Sequence, residues 1–243
     1  MALSRAAGTL ISCVKEGTSM PSIRRIAATV WLAGAGLLAG TAGAQGPECV
    51  AIDDFSAGAV GQFPAGWKPR KGEGKDVYSL QEEGGVRFLR AVSRGLGIQA
   101  GREMEWDLQE YPVVTWSWRA KQFPEGADER KSGTNDSVAA VYVMVPHSRV
   151  RGPKAVKYIW SERVPAGERL SSNEGLTQVR VLRSGRDGAG EWREERVNVR
   201  DDYLRFFNES AAPRTAGIAV LTDADDTKST AAGDYTAFRR CRG

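Results

Sequence analysis

Through most of the chain after residue 48, apolar and polar residues alternate with a period of two. Val114, Trp116 and Trp118 share one face of residues 113–119, and Thr115, Ser117 and Arg119 share the other. Residues 154–160 set Val156, Tyr158 and Trp160 against Lys157, whereas 135–145 turn apolar on both faces after three positions, as a central strand does. Further strands are predicted over 49–55, 76–81, 86–92, 103–108, 178–183 and 191–200, with 76–81 and 86–92 forming a hairpin through residues 82–85. Phe63 and Trp67 stand in a turn-rich loop and are expected to tuck under the domain. One segment alone carries a helical period: residues 200–207, with Tyr203, Phe206 and Phe207 at i, i+3 and i+4 behind an Asp cap. About ten short strands punctuated by Gly, Pro and Asp predict an all-β fold, an antiparallel β-sandwich with one short helix.

The last stretch, 217–240, reads as a strand, an acidic loop and a final strand. Asp223, Asp225 and Asp226 stand within four residues and repel one another, so water, basic neighbours or a cation must neutralise them. Asp223, Asp225 and Thr227 match the spacing of the nucleophile loop of haloacid-dehalogenase-like phosphatases. That loop ends the first strand of a doubly wound α/β domain, and only 16 residues follow Thr227, too few to build the parallel sheet. An EF-hand is excluded because Lys228 occupies the position that requires Gly. Two readings stay open: a solvated acidic turn, or a calcium site built on Asp223, Asp225 and Asp226, joined by Asp53 or Asp54. Hard carboxylate ligands without nitrogen or sulfur would select calcium over a transition metal.

At the other end, Arg24 and Arg25 precede an apolar run over 26–38, and Ala42, Gly43 and Ala44 supply the small residues of a signal-peptide cleavage site. Residues 1–44 are therefore expected to be a leader, with Met20 a second candidate start, and residues 45–243 a single domain. The apolar run is too short to span a bilayer. Removing the leader lowers the formal net charge from +4 to +1, so the basic balance of the whole chain gives no reason to expect a nucleic-acid partner. The expected location is the periplasm or the medium. Nothing in the pattern fixes the oligomeric state.

Candidate chemistry is thin. His147 is the only histidine, and it follows Pro146 in a basic loop without triad or zinc spacing. Thirty acidic residues offer many carboxylate pairs, for example Asp136 with Glu162, but the separation that decides glycoside hydrolysis is not a sequence property. The aromatic strands leave two readings: Trp116, Trp118, Tyr158 and Trp160 fill the sandwich core, or they form a platform on which sugar rings stack.

The order of DDF at 53–55, Gly66-Trp67, YPVVTWSWRA, KYIWS, NVRDDYLRFF and IAVLTDADDTKSTAAGDY resembles the bacterial exported proteins grouped as domain of unknown function 3047, over residues 51–240. The resemblance implies a sandwich similar to the galactose-binding-like jelly rolls of carbohydrate-binding modules, and no reaction. Asn135-Asp136 departs from the paired aspartates expected before the central strand. In such a jelly roll the first and last strands lie side by side, and export supplies an oxidising compartment, so Cys49 and Cys241 are expected to form a disulfide. The expected function is reversible saccharide binding through Trp116, Trp118, Tyr158 and Trp160, with Arg119 and Asp136 fixing the ligand's orientation. The alternatives are a glycan-active hydrolase or lyase on the same sandwich, and an envelope structural protein without a small ligand.

Overall fold

The computed structural model describes residues 48–243, and the predicted leader lies outside them. Two sheets face each other. Sheet A runs in the order β11 (Arg193–Asn198), β6 (Val113–Gln122), β13 (Thr230–Cys241), β4 (Val86–Arg94) and β3 (Tyr78–Glu83). The first strand, β1 (Cys49–Asp53), pairs with the C-terminal half of β13 beyond the end of β4. Sheet B runs β2 (Lys68–Pro69), β5 (Ala100–Glu103), β12 (Gly217–Leu221), β7 (Ala139–Ser148), β8 (Gly152–Ser161), β10 (Thr177–Ser184) and β9 (Arg169–Ser172). The all-β sandwich expected from the alternation is what forms.

Its inner faces are the apolar faces read from the sequence. Trp116 of β6 meets Tyr158 of β8 at 5.7 Å between ring centroids, and Trp118 meets Trp160 at 6.1 Å, so two ring pairs bridge sheet A to sheet B. Val141, Val143 and Val145 of β7 with Ile218 and Val220 of β12 complete the sheet B side. Burying a large apolar side chain in this way stabilises by about 1.5–3 kcal/mol each. Phe55, Trp67 and Phe238 close one end, with Phe55 and Trp67 centroids 5.5 Å apart. The helix α2 (Val199–Phe207) starts on Asn198, whose side chain accepts from Asp201 N, and buries Val199, Tyr203 and Phe206.

Three local features depart from the sequence reading. The sheets are not wholly antiparallel, because β10 pairs parallel to β8. The chain leaves β8, runs back along the sheet edge as β9 and turns through Asn173, Glu174 and Gly175, all with positive φ, into the place left between them. A second helix, the single turn α1 (Gly74–Val77), precedes β3, and the strand predicted over 103–108 lies earlier, as β5. The hairpin of β3 and β4 turns on Gly84 and Gly85, with φ of 59° and 79°, the left-handed pair that a two-residue hairpin needs.

Cys49 and Cys241 stand opposite each other in register across β1 and β13, with Cα atoms 4.0 Å apart, and are joined by a disulfide. Closing a loop across 192 positions contributes on the order of 4–5 kcal/mol in the chain-entropy model. Among the described residues, no helix is long and apolar enough to cross a membrane.

Candidate functional face of sheet B

The residues expected to hold a saccharide do not form one site. Trp116, Trp118, Tyr158 and Trp160 are at most 1% exposed, sealed between the sheets. Their polar atoms are largely committed: Trp118 Nε1 donates to Glu195, Trp160 Nε1 to the Gly185 carbonyl and Tyr158 OH to Asp202. No ring could stack on a ligand there. The alternation had found the right face of each strand, but an apolar face signals a core as readily as a platform.

Arg119 points away from the core, onto the outer face of sheet A, and is also buried. It donates to Asp234 on β13, at 2.9 and 2.7 Å, and to Glu83 at 2.7 Å, while Arg90 of β4 grips Asp234 from the other side. Trp192 and Phe88 roof the guanidinium at 4.7 and 5.3 Å. Arg119 is thus part of a closed ion-pair network rather than a ligand contact.

Asp136 lies before β7, outside the Arg119 network, and is fully buried. Its Oδ2 accepts from Thr227 N at 2.8 Å and Thr227 Oγ1 at 2.6 Å, and its Oδ1 from Asp226 N at 3.2 Å. It ties the acidic loop to the central strand. The calcium loop drawn from the sequence is also rearranged: Asp226 Oδ2 accepts from Asn135 N, whereas carboxylate oxygens of Asp136, Asp223 and Asp225 come within 4.8 Å of one another. Asp53 does not join them, being held by Trp67 Nε1 and Arg102, and Asp54 accepts from Ser56 N.

What the sequence reading missed lies on the outer face of sheet B. A groove of about 470 Å³ crosses it. Gly101, Gly152, Ala155 and Ala219 are the small residues lining it, so that the β5, β8 and β12 backbones can be approached closely. Tyr142 and Met144 of β7 add apolar surface, and Gln99, Asn173, Thr177, Lys68, Arg70, Arg102 and Arg151 surround it with hydrogen-bond donors. Glu103 is the single carboxylate among the lining residues; it pairs with Lys68 at 3.1 Å, and Arg102 pairs with Asp53 at 2.5 Å. Among the described residues, the exposed Arg70 has no ion pair, whereas Arg151 reaches Glu174 at 4.0 Å.

Tyr142 joins this groove to a buried polar cluster further along the face. Lys157, directly opposite Tyr142 in the β7–β8 register, sets its ammonium 5.3 Å from the ring centroid. Burial works against its charge, yet Tyr142, Asp223 and Glu129 together hold its pKa above the usual lysine range. Glu129 accepts from Ser161 Oγ at 2.5 Å and Ser137 Oγ at 3.1 Å, and burial raises its pKa against those bonds. Asp223 is pushed up to about 8, chiefly by burial; Lys157 opposes the shift, and the Asp225 and Asp136 carboxylates add to it. The signals of this cluster in the sequence were Asp223 in the acidic loop and a lysine inside the aromatic strand 154–160, and nothing in the sequence joined them.

The fold is a two-sheet β-sandwich with an open groove across the outer face of sheet B. The chain belongs to the family described as protein of unknown function DUF3047, whose model matches residues 65–239. Among curated proteins, none matches the chain. Solved structures similar to it include the family 11 carbohydrate-binding module of a cellulosomal cellulase of Clostridium thermocellum, at 7% identity and a TM-score of 0.40, covering 82% of this chain and 97% of that one. A family 30 carbohydrate-binding module from the same organism gives 11% identity and a TM-score of 0.42, covering 79% and 96%. The family GH12 endoglucanase 3 of Trichoderma harzianum gives 10% and 0.39, covering 80% and 96%. At these scores the ligands and reactions of those proteins do not transfer to this chain.

Proposed function

We propose that the protein is an exported saccharide-binding module that takes its ligand in the groove on the outer face of sheet B. The observation that carries this reading is the makeup of the groove: close backbone approach over small residues, one aromatic ring and a surround of amide, hydroxyl and guanidinium donors. A sugar presents apolar C–H faces to a ring such as Tyr142 and hydroxyls to donors such as Gln99, Asn173 and Thr177. The volume falls within the range of about 300–1,000 Å³ usual for small-molecule sites. Lys68, Arg102 and Arg151 already have carboxylate partners in Glu103, Asp53 and Glu174, so the exposed Arg70, with Arg151 held only loosely at 4.0 Å, favours a saccharide that carries acidic groups, such as a uronate oligomer. The groove replaces the aromatic platform expected from the sequence.

Export is supported by the disulfide, which belongs to an oxidising compartment. Affinity is expected in the micromolar to millimolar range, about −8 to −4 kcal/mol, because a shallow groove offsets only part of the ordering cost.

Screening immobilised acidic and neutral oligosaccharides tests the reading. Acidic ligands should be retained, and Arg70→Ala combined with Arg151→Ala should lose them while keeping the fold. Absence of retention across the whole panel would overturn the proposal, and release of shortened products on incubation would replace binding by a hydrolase or lyase activity.

A further inference from the structure

The acidic loop and the start of β7 bring three carboxylates together outside the groove. Oxygens of Asp136, Asp223 and Asp225 lie within 4.8 Å of one another. Among the described residues, no lysine or arginine nitrogen forms an ion pair with any of the three. Asp223 is 8% exposed, and its Oδ1 is buried without a hydrogen-bond partner. An orphaned carboxylate oxygen of that kind is unfavourable to bury, and here it lies beside another carboxylate. Gly97 makes the approach possible. A Cβ at that position would stand 2.6 Å from Asp223 Oδ1 and 2.6 Å from Asp225 Oδ1, so a side chain would collide with the paired oxygens.

We infer that Asp136, Asp223 and Asp225 bind a single calcium ion, with Asp223 Oδ1 as its most deeply buried ligand. Each residue has a distinct part. Asp136 is fixed by Asp226 N, Thr227 N and Thr227 Oγ1, so its carboxylate is held in place before any ion arrives. Asp225 is exposed, which leaves one side of the ion open to water. Asp226 is excluded, because its Oδ2 accepts from Asn135 N, and it supplies instead the amide that steadies Asp136.

The donor set selects the ion. Three carboxylates with one side open to water suit calcium, which takes about six to eight oxygens in flexible geometry, whereas magnesium demands a near-ideal octahedron, keeps several waters and is usually held by only one or two carboxylates.

Chelator-treated full-length mature protein, titrated with calcium chloride by calorimetry and melted with and without calcium, tests the inference. One ion per chain should bind, and calcium a hundredfold above its Kd should raise Tm by about 5–10 °C. Asp225→Asn, an exposed change that should leave the fold intact, should weaken binding at least about tenfold, and Asp226→Asn should leave it within about twofold. Superimposed melting curves with no heat of binding would overturn the site. A loss in Asp226→Asn equal to that in Asp225→Asn would overturn the ligand set, and an equal response to magnesium would overturn the choice of ion.

Discussion

On the outer face of sheet A the buried aspartate is fully answered: Asp234 is clamped between Arg90 and Arg119, Arg119 reaches Glu83 as well, and Trp192 with Phe88 closes the network over. On the outer face of sheet B, Asp223 is 8% exposed against 0% for Asp234 and has an oxygen with no hydrogen-bond partner, and the surface beside it opens into a groove rimmed by arginines. The two faces settle their buried aspartates in opposite ways. Satisfied charges hold strands together, whereas unsatisfied buried groups and open concavity mark the place where something else binds.

Replacing Trp118 by Ala should have the largest effect, about 3–5 kcal/mol lost in a denaturant titration, because the ring bridges the sheets and its Nε1 bonds Glu195. A variant that keeps its stability would place Trp118 back among the ligand contacts expected from the sequence. Asp234→Ala comes next, at about 3 kcal/mol, since it leaves Arg119 buried without its main counter-charge. The groove should be untouched by that loss, so whatever ligand binding survives at low temperature should keep its affinity.

The smallest effect concerns Glu129, where the sign follows from burial. Its folded pKa is raised above the ordinary 4.5, so the folded state holds the proton more tightly than the unfolded chain does. That contribution is fully present below the unfolded value and is lost as the pH rises from there through the raised folded value. Glu129→Gln cannot titrate and can still bond Ser137 and Ser161. It should therefore flatten this part of the Tm profile and stand a few degrees, roughly, above the wild type once Glu129 has ionised. Parallel profiles would show that Glu129 contributes no such linkage.

The inward faces of β6 and β8, the hairpin at Gly84-Gly85, the helix over Tyr203 and Phe206, and the pairing of the two end strands were all legible in the sequence. Each depends on a local period or on a chemistry with one partner available. The parallel seating of β10 was not, because it follows from β9 running along the edge, and β9 spans only four residues without an apolar face. The groove was invisible for a related reason. Its residues are scattered over six strands and their loops, and Tyr142 sat in a run that is apolar on both faces. The acidic loop announced three aspartates but not their partner, since Asp136 is 87 positions before Asp223 and reaches it only when β7 and β12 pair.

The central claim, that the outer face of sheet B is the working surface and that of sheet A is not, is tested most directly by calorimetric titration of an acidic oligosaccharide into three proteins. These are the wild type, Tyr142→Ala in the groove and Trp192→Ala over the Arg119 network. The account predicts the same Kd for the wild type and Trp192→Ala, and an affinity at least about tenfold weaker for Tyr142→Ala with its fold preserved by circular dichroism. Binding that survives in Tyr142→Ala and disappears in Trp192→Ala would contradict it.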